Sequence, residues 1–296
     1  MRPVTRRAVV VGVDRSDNGL AAVQYAADLA NRRKLPLRVM HAFEPTQYAV
    51  HAVVQGPLDV ESVLRKSAQR LLDDTLEVLS AVYPDLEVEA VLKEGSETEM
   101  LLRESEDADC VVLGSRGVGG FADLVIGSTT LHVVSHAHCP VIAVPASTAG
   151  TESREGVVVG VDGSEVSEAA IQFAFEIAAV MHEPLSAVHV WHDTTRTGVG
   201  LLMPPLPDQA EALREERQVL STSLSGWREK FPEVVVTELV VPGHPVSVLS
   251  AAAEEARLLV VGSHGRGSIR SLVLGSVSHG VLHHASGAVA VVRQSS

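Results

Sequence analysis

Only two cysteines, Cys110 and Cys139, occur in 296 residues. They share no C-x-x-C spacing, which argues against a disulfide framework or a zinc knuckle and suits a reducing cytoplasm. Positive charge is also short, with 24 Lys and Arg against 37 Asp and Glu and a formal net charge of −13. The deficit is shared, 14 basic and 20 acidic residues up to position 148, then 10 and 17 beyond it. Neither half is a basic module, so no nucleic acid or anionic membrane surface is expected as a partner by long-range attraction. Long apolar runs are missing too. The basic start MRPVTRR leads into AVVVGV, which stops at Asp14. That run is too short for a signal-peptide core or a bilayer span. A soluble, cytoplasmic chain is the expectation. Its apolar fraction of 46%, against 21% charged, suffices to bury real cores.

What the sequence does contain is a repeat. VVVGVDRS at 9–16 returns as VVVGVDGS at 157–164, an offset of 148. The same offset carries His41 to His189, Gly95 to Gly243, Gly114 to Gly262, Gly117 to Gly265 and Gly127-Ser128 to Gly275-Ser276. A period this long signals duplicated domains rather than a solenoid. The polar stretch STAGTESRE, Ser147–Glu155, reads as the joint. Domains are thus expected at 1–147 and 156–296, with a linker at 148–155.

Each half alternates short β-branched runs with helical patterns. AVVVGV, LRVMHA, EVEAVL, CVVLGS and VIAVP are candidate strands of a buried parallel sheet, repeated as VVVGVD, LSAVHVW, VVVTELVV, LLVVGS and AVAVVR. Helices are expected from Asn18 to Arg33, along Leu64, Ala68, Leu71, Thr75 and Leu79, from Glu97 to Ser105, and from Ser128 to Ser135. Five strands and about four helices per half define two tandem doubly wound, Rossmann-like α/β domains.

The informative segment is GSRGVGGFADLVIGS at 114–128, with its twin GSHGRGSIRSLVLGS at 262–276. Each has a glycine ending a strand, a second glycine after two residues, nine residues, and Gly-Ser opening a helix. Gly114 and Gly117, with Gly262 and Gly265, are expected to let the backbone turn sharply and approach a ligand. Gly127-Ser128 and Gly275-Ser276 leave the first helical amides, through Thr129 and Val277, facing phosphate oxygens. The nine residues between form a flap long enough to reach around a triphosphate. No GxxxxGK[ST] occurs, and the glycines follow the fourth strand rather than the first, which excludes a P-loop and a dinucleotide fingerprint.

These motifs, with HAHCPVIAVP closing the first half, resemble the universal stress protein family in its tandem, ATP-binding, actinobacterial-like form. The resemblance spans essentially the whole chain. It implies five parallel strands in the order 3-2-1-4-5, with a ligand crevice between strands 1 and 4. It implies one ATP per domain, with Mg2+. Gly12, Asp14, Gly160 and Asp162 would lie near the adenosine, and the backbone of Val39–His41 and Ala187–His189 near adenine. Arg116, His264 and Arg266 stand in the cradle loops, where exposed arginine is also the ordinary outcome. An intrachain pseudo-dimer of the two domains, a possible homodimer and an unidentified protein partner are implied as well. The second half departs from the pattern in ending ASGAVAVVR, without the proline before strand 5.

Plainer readings stand beside these. Asp14 and Asp162 could cap turns. His132 and His136 are four apart, as are His279 and His283, with His284 following. Neither pair encloses the Glu of a zinc-hydrolase helix, and His132 maps to Gly280, so no metal site is expected. Cys110 belongs in a core strand, and nothing marks Cys139 as an activated thiol. The expected function is a nucleotide-dependent regulator in stress or dormancy, and not an enzyme. The alternative is a slow ATPase, or autophosphorylation at Ser128, Thr129 or Ser276. Neither cradle has a lysine or an obvious general base, which disfavours efficient phosphoryl transfer. An adenylyl-transferring ligase would want an SGG-type loop after strand 1, which is absent.

Overall fold

The computed structural model describes residues 7–44, 60–117, 126–148, 154–191, 209–265 and 274–294. The chain divides into two units, Met1–Ala149 and Gly150–Ser296. The polar joint has its middle, 149–153, outside the described residues, and Ala146–Thr148 before it forms one 3-10 turn.

Unit 1 runs β1 (Val9–Gly12), α1 (Asp17–Arg33), β2 (Leu37–Phe43), α2 (Val60–Val82), β3 (Val88–Glu94), α3 (Glu97–Glu104), β4 (Cys110–Gly114), α4 (Ser128–His136) and β5 (Val141–Val144). Unit 2 runs β6 (Val157–Gly160), α5 (Glu165–Met181), β7 (Leu185–Trp191), α6 (Gln209–Lys230), β8 (Val236–Pro242), α7 (Pro245–Glu255), β9 (Leu258–Gly262), α8 (Ser276–His284) and β10 (Val289–Val292). Strand order is β3-β2-β1-β4-β5 in the first unit and β8-β7-β6-β9-β10 in the second, with parallel pairing throughout each.

The central strands are β-branched because helices cover both faces of a parallel sheet. Val9, Val10 and Val11 are fully buried, as are Cys110, Val111 and Val112 beside them. The edge strands depart from the expected buried pattern. No residue of β3 or β8 is buried. Each pairs on one side only among the described residues, and charged residues such as Glu89 and Glu94 keep such an edge soluble.

Helix ends follow local chemistry. Ser16, Ser96 and Ser164 cap α1, α3 and α5, accepting from the amides of Gly19, Glu99 and Ser167. Gly95 and Gly243 sit at φ 117° and 152°, which explains why the turn after the third strand of each unit carries glycine. The missing proline before β10 changes nothing in the pairing. Leu259 N–H donates to Ala288 at 3.0 Å, where Val111 N–H donates to Pro140 at 3.0 Å in unit 1.

Candidate nucleotide site

In each unit the chain leaves β1 or β6 towards one edge of the sheet, whereas β4 or β9 leads to the other edge. The connections diverge there and open a crevice at the carboxyl ends of the strands. Asp14 lies just past β1. Its Oδ1 accepts from Ser16 N–H at 3.0 Å and from the Ser16 hydroxyl. Asp162 repeats this with Ser164 at 3.0 and 2.7 Å. The turn-capping role is therefore real, and it fixes each carboxylate at the crevice. The Ser16 hydroxyl also reaches the carbonyl of Arg116 at 3.2 Å, tying the β1 loop to the β4 loop.

The β4 loop closes on itself. Gly127 N–H donates to Ser115 at 2.7 Å, and Gly275 N–H donates to Ser263 at 2.7 Å. The first helical bonds come from Leu131 to Gly127 and from His279 to Gly275. The amides of Ser128, Thr129 and Thr130, and of Ser276, Val277 and Ser278, precede them and have no acceptor in their own helix. Neither α4 nor α8 has a side-chain cap, in contrast to α1, α3 and α5; α7 also lacks one, but it opens on Pro245, which has no amide to offer. Thr130 and Ser278 satisfy strand-end carbonyls instead, donating to Gly114 at 2.8 Å and Ser263 at 2.9 Å. Ser128 and Ser276 are exposed.

The sharp turn expected at Gly114, Gly117, Gly262 and Gly265 is not what requires glycine there. None of Gly12, Gly114, Gly117, Gly160, Gly262 and Gly265 has a positive φ. A Cβ at Gly12 would lie 2.7 Å from Leu113, and one at Gly160 would lie 3.0 Å from Leu249. At Gly114 it would meet the Asn18 backbone at 2.7 Å, and at Gly262 the Val166 side chain at 3.1 Å. Gly114, Gly160 and Gly262 let helices pack on the strand ends, and Gly12 makes room for Leu113 of the neighbouring strand. At Gly117 and Gly265 the Cβ would fall 2.7 and 2.5 Å from the Oδ2 of Asp14 and Asp162. The aspartate carboxylate occupies the space of the missing side chain. Gly127 differs again. Its Cβ would make only ordinary contacts, 3.6 Å from Arg116 and Ser115, and its φ of −75° suits any residue. Neither packing nor backbone strain demands glycine there.

Around β2 the structure separates the expected residues. Val39 and Ala187 are fully buried, laddered on one side to β1 or β6 and on the other to β3 or β8. Their side chains are enclosed, so only backbone could serve the contact expected of them. The physical reason is that both lie one full residue or more inside the sheet, where the second strand is paired on both flanks. His41 does reach the crevice, with Nδ1 2.8 Å from Val13 O, and burial holds its imidazole below the usual pKa. A carbonyl can only accept, so Nδ1 carries the proton. His189 makes the same contact with Val161 at 2.7 Å, and its Nε2 lies 2.7 Å from Glu216 Oε2. At the offset of 148, the position of Glu216 in unit 1 is Ala68. Trp191 ends β7, two residues beyond His189.

One site residue is not visible as such in the sequence. Glu97 opens α3, half-buried, and its carboxyl is pushed up to about 7 by burial, with the negative charge of Asp14 adding to the shift. Unit 2 has Pro245 there. Of the remaining expected residues, Arg116 is exposed on the β4 loop and His264 pairs Nδ1 with the Ser263 hydroxyl at 3.1 Å. Arg266 and most of the flap lie outside the described residues. Among the described residues no three His, Cys, Asp or Glu converge on a common point, and no helix is long and apolar enough to cross a membrane.

A doubly wound α/β unit with an uncapped helix start at its switch point belongs to the class of folds that seat phosphorylated ligands. Comparison with known proteins names the family within that class. The family model "Universal stress protein family" matches residues 5–145 and again 154–293. A universal stress protein of Mycobacterium tuberculosis (strain ATCC 25618 / H37Rv) is 35% identical over 295 residues, covering 97% of this chain and 96% of its own. Another, from Mycolicibacterium smegmatis (strain ATCC 700084 / mc(2)155), is 33% identical over 299 residues, covering 99% of both. The chain belongs to the universal stress protein family. Its fold matches the crystal structure of a universal stress protein from Archaeoglobus fulgidus DSM 4304, with a TM-score of 0.69 and 20% identity over 97% of this chain and 96% of that one.

Proposed function

We propose that each unit binds one ATP at its crevice and that occupancy, rather than turnover, is the signal the protein delivers in a stress or dormancy response. The observation that carries this reading is the pair of uncapped helix starts, α4 and α8, each beside a loop held to an aspartate. Free amides and the positive end of the helix dipole favour an anion at that point. The residues present fit a nucleotide. Glycine at position 127 serves neither packing nor backbone geometry, and it leaves the approach to the amides of Ser128 and Thr129 open.

In this reading the amides and hydroxyls of Ser128 and Ser276 hold phosphate oxygens. Asp14 and Asp162 form the opposite wall, and His41 and His189 fix the loops beside the base. Mg2+ would enter on the phosphates, neutralising their charge, with water completing its shell. Bound nucleotide would bias the arrangement of the β4–α4 and β9–α8 connections, giving a state that a protein partner can distinguish.

A second reading, slow hydrolysis in unit 1, is favoured by Glu97 alone. A carboxyl near pKa 7 beside the crevice is the kind of group that accepts a proton at neutral pH. One experiment separates the two. Purified protein is denatured, released nucleotide is identified, and phosphate release is followed over hours for the native chain and Glu97→Gln. Bound ATP with no multiple turnover supports occupancy as the signal. Turnover lost in Glu97→Gln supports the enzyme. A protein with no measurable adenine-nucleotide affinity refutes both.

A further inference from the structure

The two crevices are copies in frame but not in chemistry, and the difference concentrates in one cavity of unit 1. A hollow of about 460 Å³ lies where the β1–α1 loop, the β4 loop and the end of β5 meet, lined among others by Arg15, Asp17, Asn18, Arg116, Ala146 and Ser147. Its volume falls within the range of small-molecule sites. It adjoins the candidate nucleotide site, because Arg116 lies between Gly114 and Gly117 of the cradle loop.

The lining is rich in donors. The Arg15 guanidinium is anchored to α2 by bonds to Ser67 O at 3.0 Å and Ser67 Oγ at 2.7 Å. That anchoring uses one of its nitrogens and pre-positions the rest. Among the described residues the Arg116 guanidinium makes no hydrogen bond or ion pair, and its planar fork carries five donors. Asn18 Oδ1 accepts from Ala146 N–H at 2.7 Å, and more weakly from the Ser115 hydroxyl at 3.4 Å. With its oxygen committed, Asn18 offers a ligand only its amide NH2. Asp17 is the single acid in the lining. Two guanidiniums and an amide match the oxygens of a phosphoryl group.

Unit 2 lacks this set. At the offset of 148, Arg15, Asn18 and Arg116 become Gly163, Val166 and His264. Arg293 stands at the position of Pro145, half-buried and already partnered. We infer that the unit 1 crevice continues into an anion subsite formed by Arg15, Asn18 and Arg116. This subsite receives the terminal phosphate of a nucleoside triphosphate, so that unit 1 selects triphosphates over monophosphates and unit 2 does not. The inference rests on the crevice being an adenine-nucleotide site and deepens that reading by giving the two sites different ligand preferences.

The test uses the full chain and three ligands, ATP, AMP and inorganic tripolyphosphate. Equilibrium dialysis with labelled nucleotide counts both sites. Tryptophan fluorescence follows unit 2, because both tryptophans, Trp191 and Trp227, lie there. The double variant Arg15→Ala/Arg116→Ala alters two exposed side chains, and its fold is checked by thermal melting. The site silent in fluorescence should lose about tenfold or more in ATP affinity, as expected for charge-assisted phosphate contacts, and keep its AMP affinity within about twofold. Lysine at both positions should restore much of the loss. Tripolyphosphate should displace ATP from unit 1 of the native chain and not from the double variant. An equal loss for ATP and AMP, or an unchanged ATP affinity, overturns the inference while leaving the nucleotide reading intact. Arginine-dependent tripolyphosphate binding without any adenine-nucleotide binding would keep the anion subsite and overturn the nucleotide reading. Absence of both overturns both.

Discussion

Glu97→Gln should stabilise the protein at pH 8 and leave it unchanged near pH 4.5. In the folded chain the Glu97 carboxyl is pushed up to about 7, from an ordinary value of 4.5, chiefly by burial and secondarily by Asp14. Between those two pH values the folded protein holds a proton that the unfolded chain has released. Stability contributed by this group is therefore complete below pH 4.5, falls as pH rises, and is lost above pH 7. The full shift corresponds to roughly 3 kcal/mol at about 1.4 kcal/mol per pH unit, and partial solvent access and the favourable dipole at the start of α3 reduce this to about 1–2 kcal/mol. Glutamine mimics the protonated form and carries no such loss. The assay is urea unfolding of both proteins at half-unit steps from pH 4.5 to 8.5. The difference should open between pH 5 and 7 and then level off. Asp14→Asn should bring the levelling-off to lower pH and shrink the final difference, because it removes the second cause. A difference that is flat with pH, or that grows on acidification, would refute the placement of a half-buried acid beside Asp14.

Gly117→Ala and Gly265→Ala should each cost about 1–3 kcal/mol, the usual range for overpacking, since a Cβ there meets the aspartate carboxylate at 2.7 or 2.5 Å. The same variants should weaken nucleotide binding in the altered unit alone, which calorimetric titration resolves. Ser16→Ala should lower stability by about 1–2 kcal/mol in urea melts, because it removes the α1 cap and the link to the Arg116 carbonyl together. Neither thiol should react with Ellman's reagent in the native protein at pH 8. Both are buried and their thiols are pushed up, that of Cys139 to about 12, so labelling should follow global unfolding.

The helix sequence and the duplication were legible because each rests on a repeated local pattern, whereas the strand order came with the family resemblance. VVVG twice, with Ser16 and Ser164 ahead of alanine-rich helices, says most of what the first βα unit becomes. The edge strands were misjudged because β3 carries enough valine and leucine to resemble its buried neighbours, and only the topology shows that one flank is open. The sharp turn expected at Gly114, Gly117, Gly262 and Gly265 is absent, and packing accounts for those glycines instead. One letter serves a tight turn, a close helix or a seated carboxylate, and sequence does not distinguish them. At Gly127 neither packing nor backbone geometry requires glycine. The side chains of Val39 and Ala187 are buried by pairing on both flanks, so only their backbone bears on the expectation made for them. Glu97 and Glu216 were visible only as breaks in the repeat, against Pro245 and Ala68. Their meaning depended on which partners, Asp14 and His189, the fold brought near.

The seating of Asp14 in the hollow left by Gly117, repeated by Asp162 and Gly265, bears on how such a chain can diverge after duplication. A change at the glycine alone collides with the acid. A change at the acid alone opens a gap and releases the serine turn behind it. Each residue is therefore the other's constraint, and the two form one heritable unit that drift cannot enter one step at a time. Close by, Arg15, Arg116 and Val118 have become Gly163, His264 and Arg266, while the locked pair and its bonded serine stand identical in both copies.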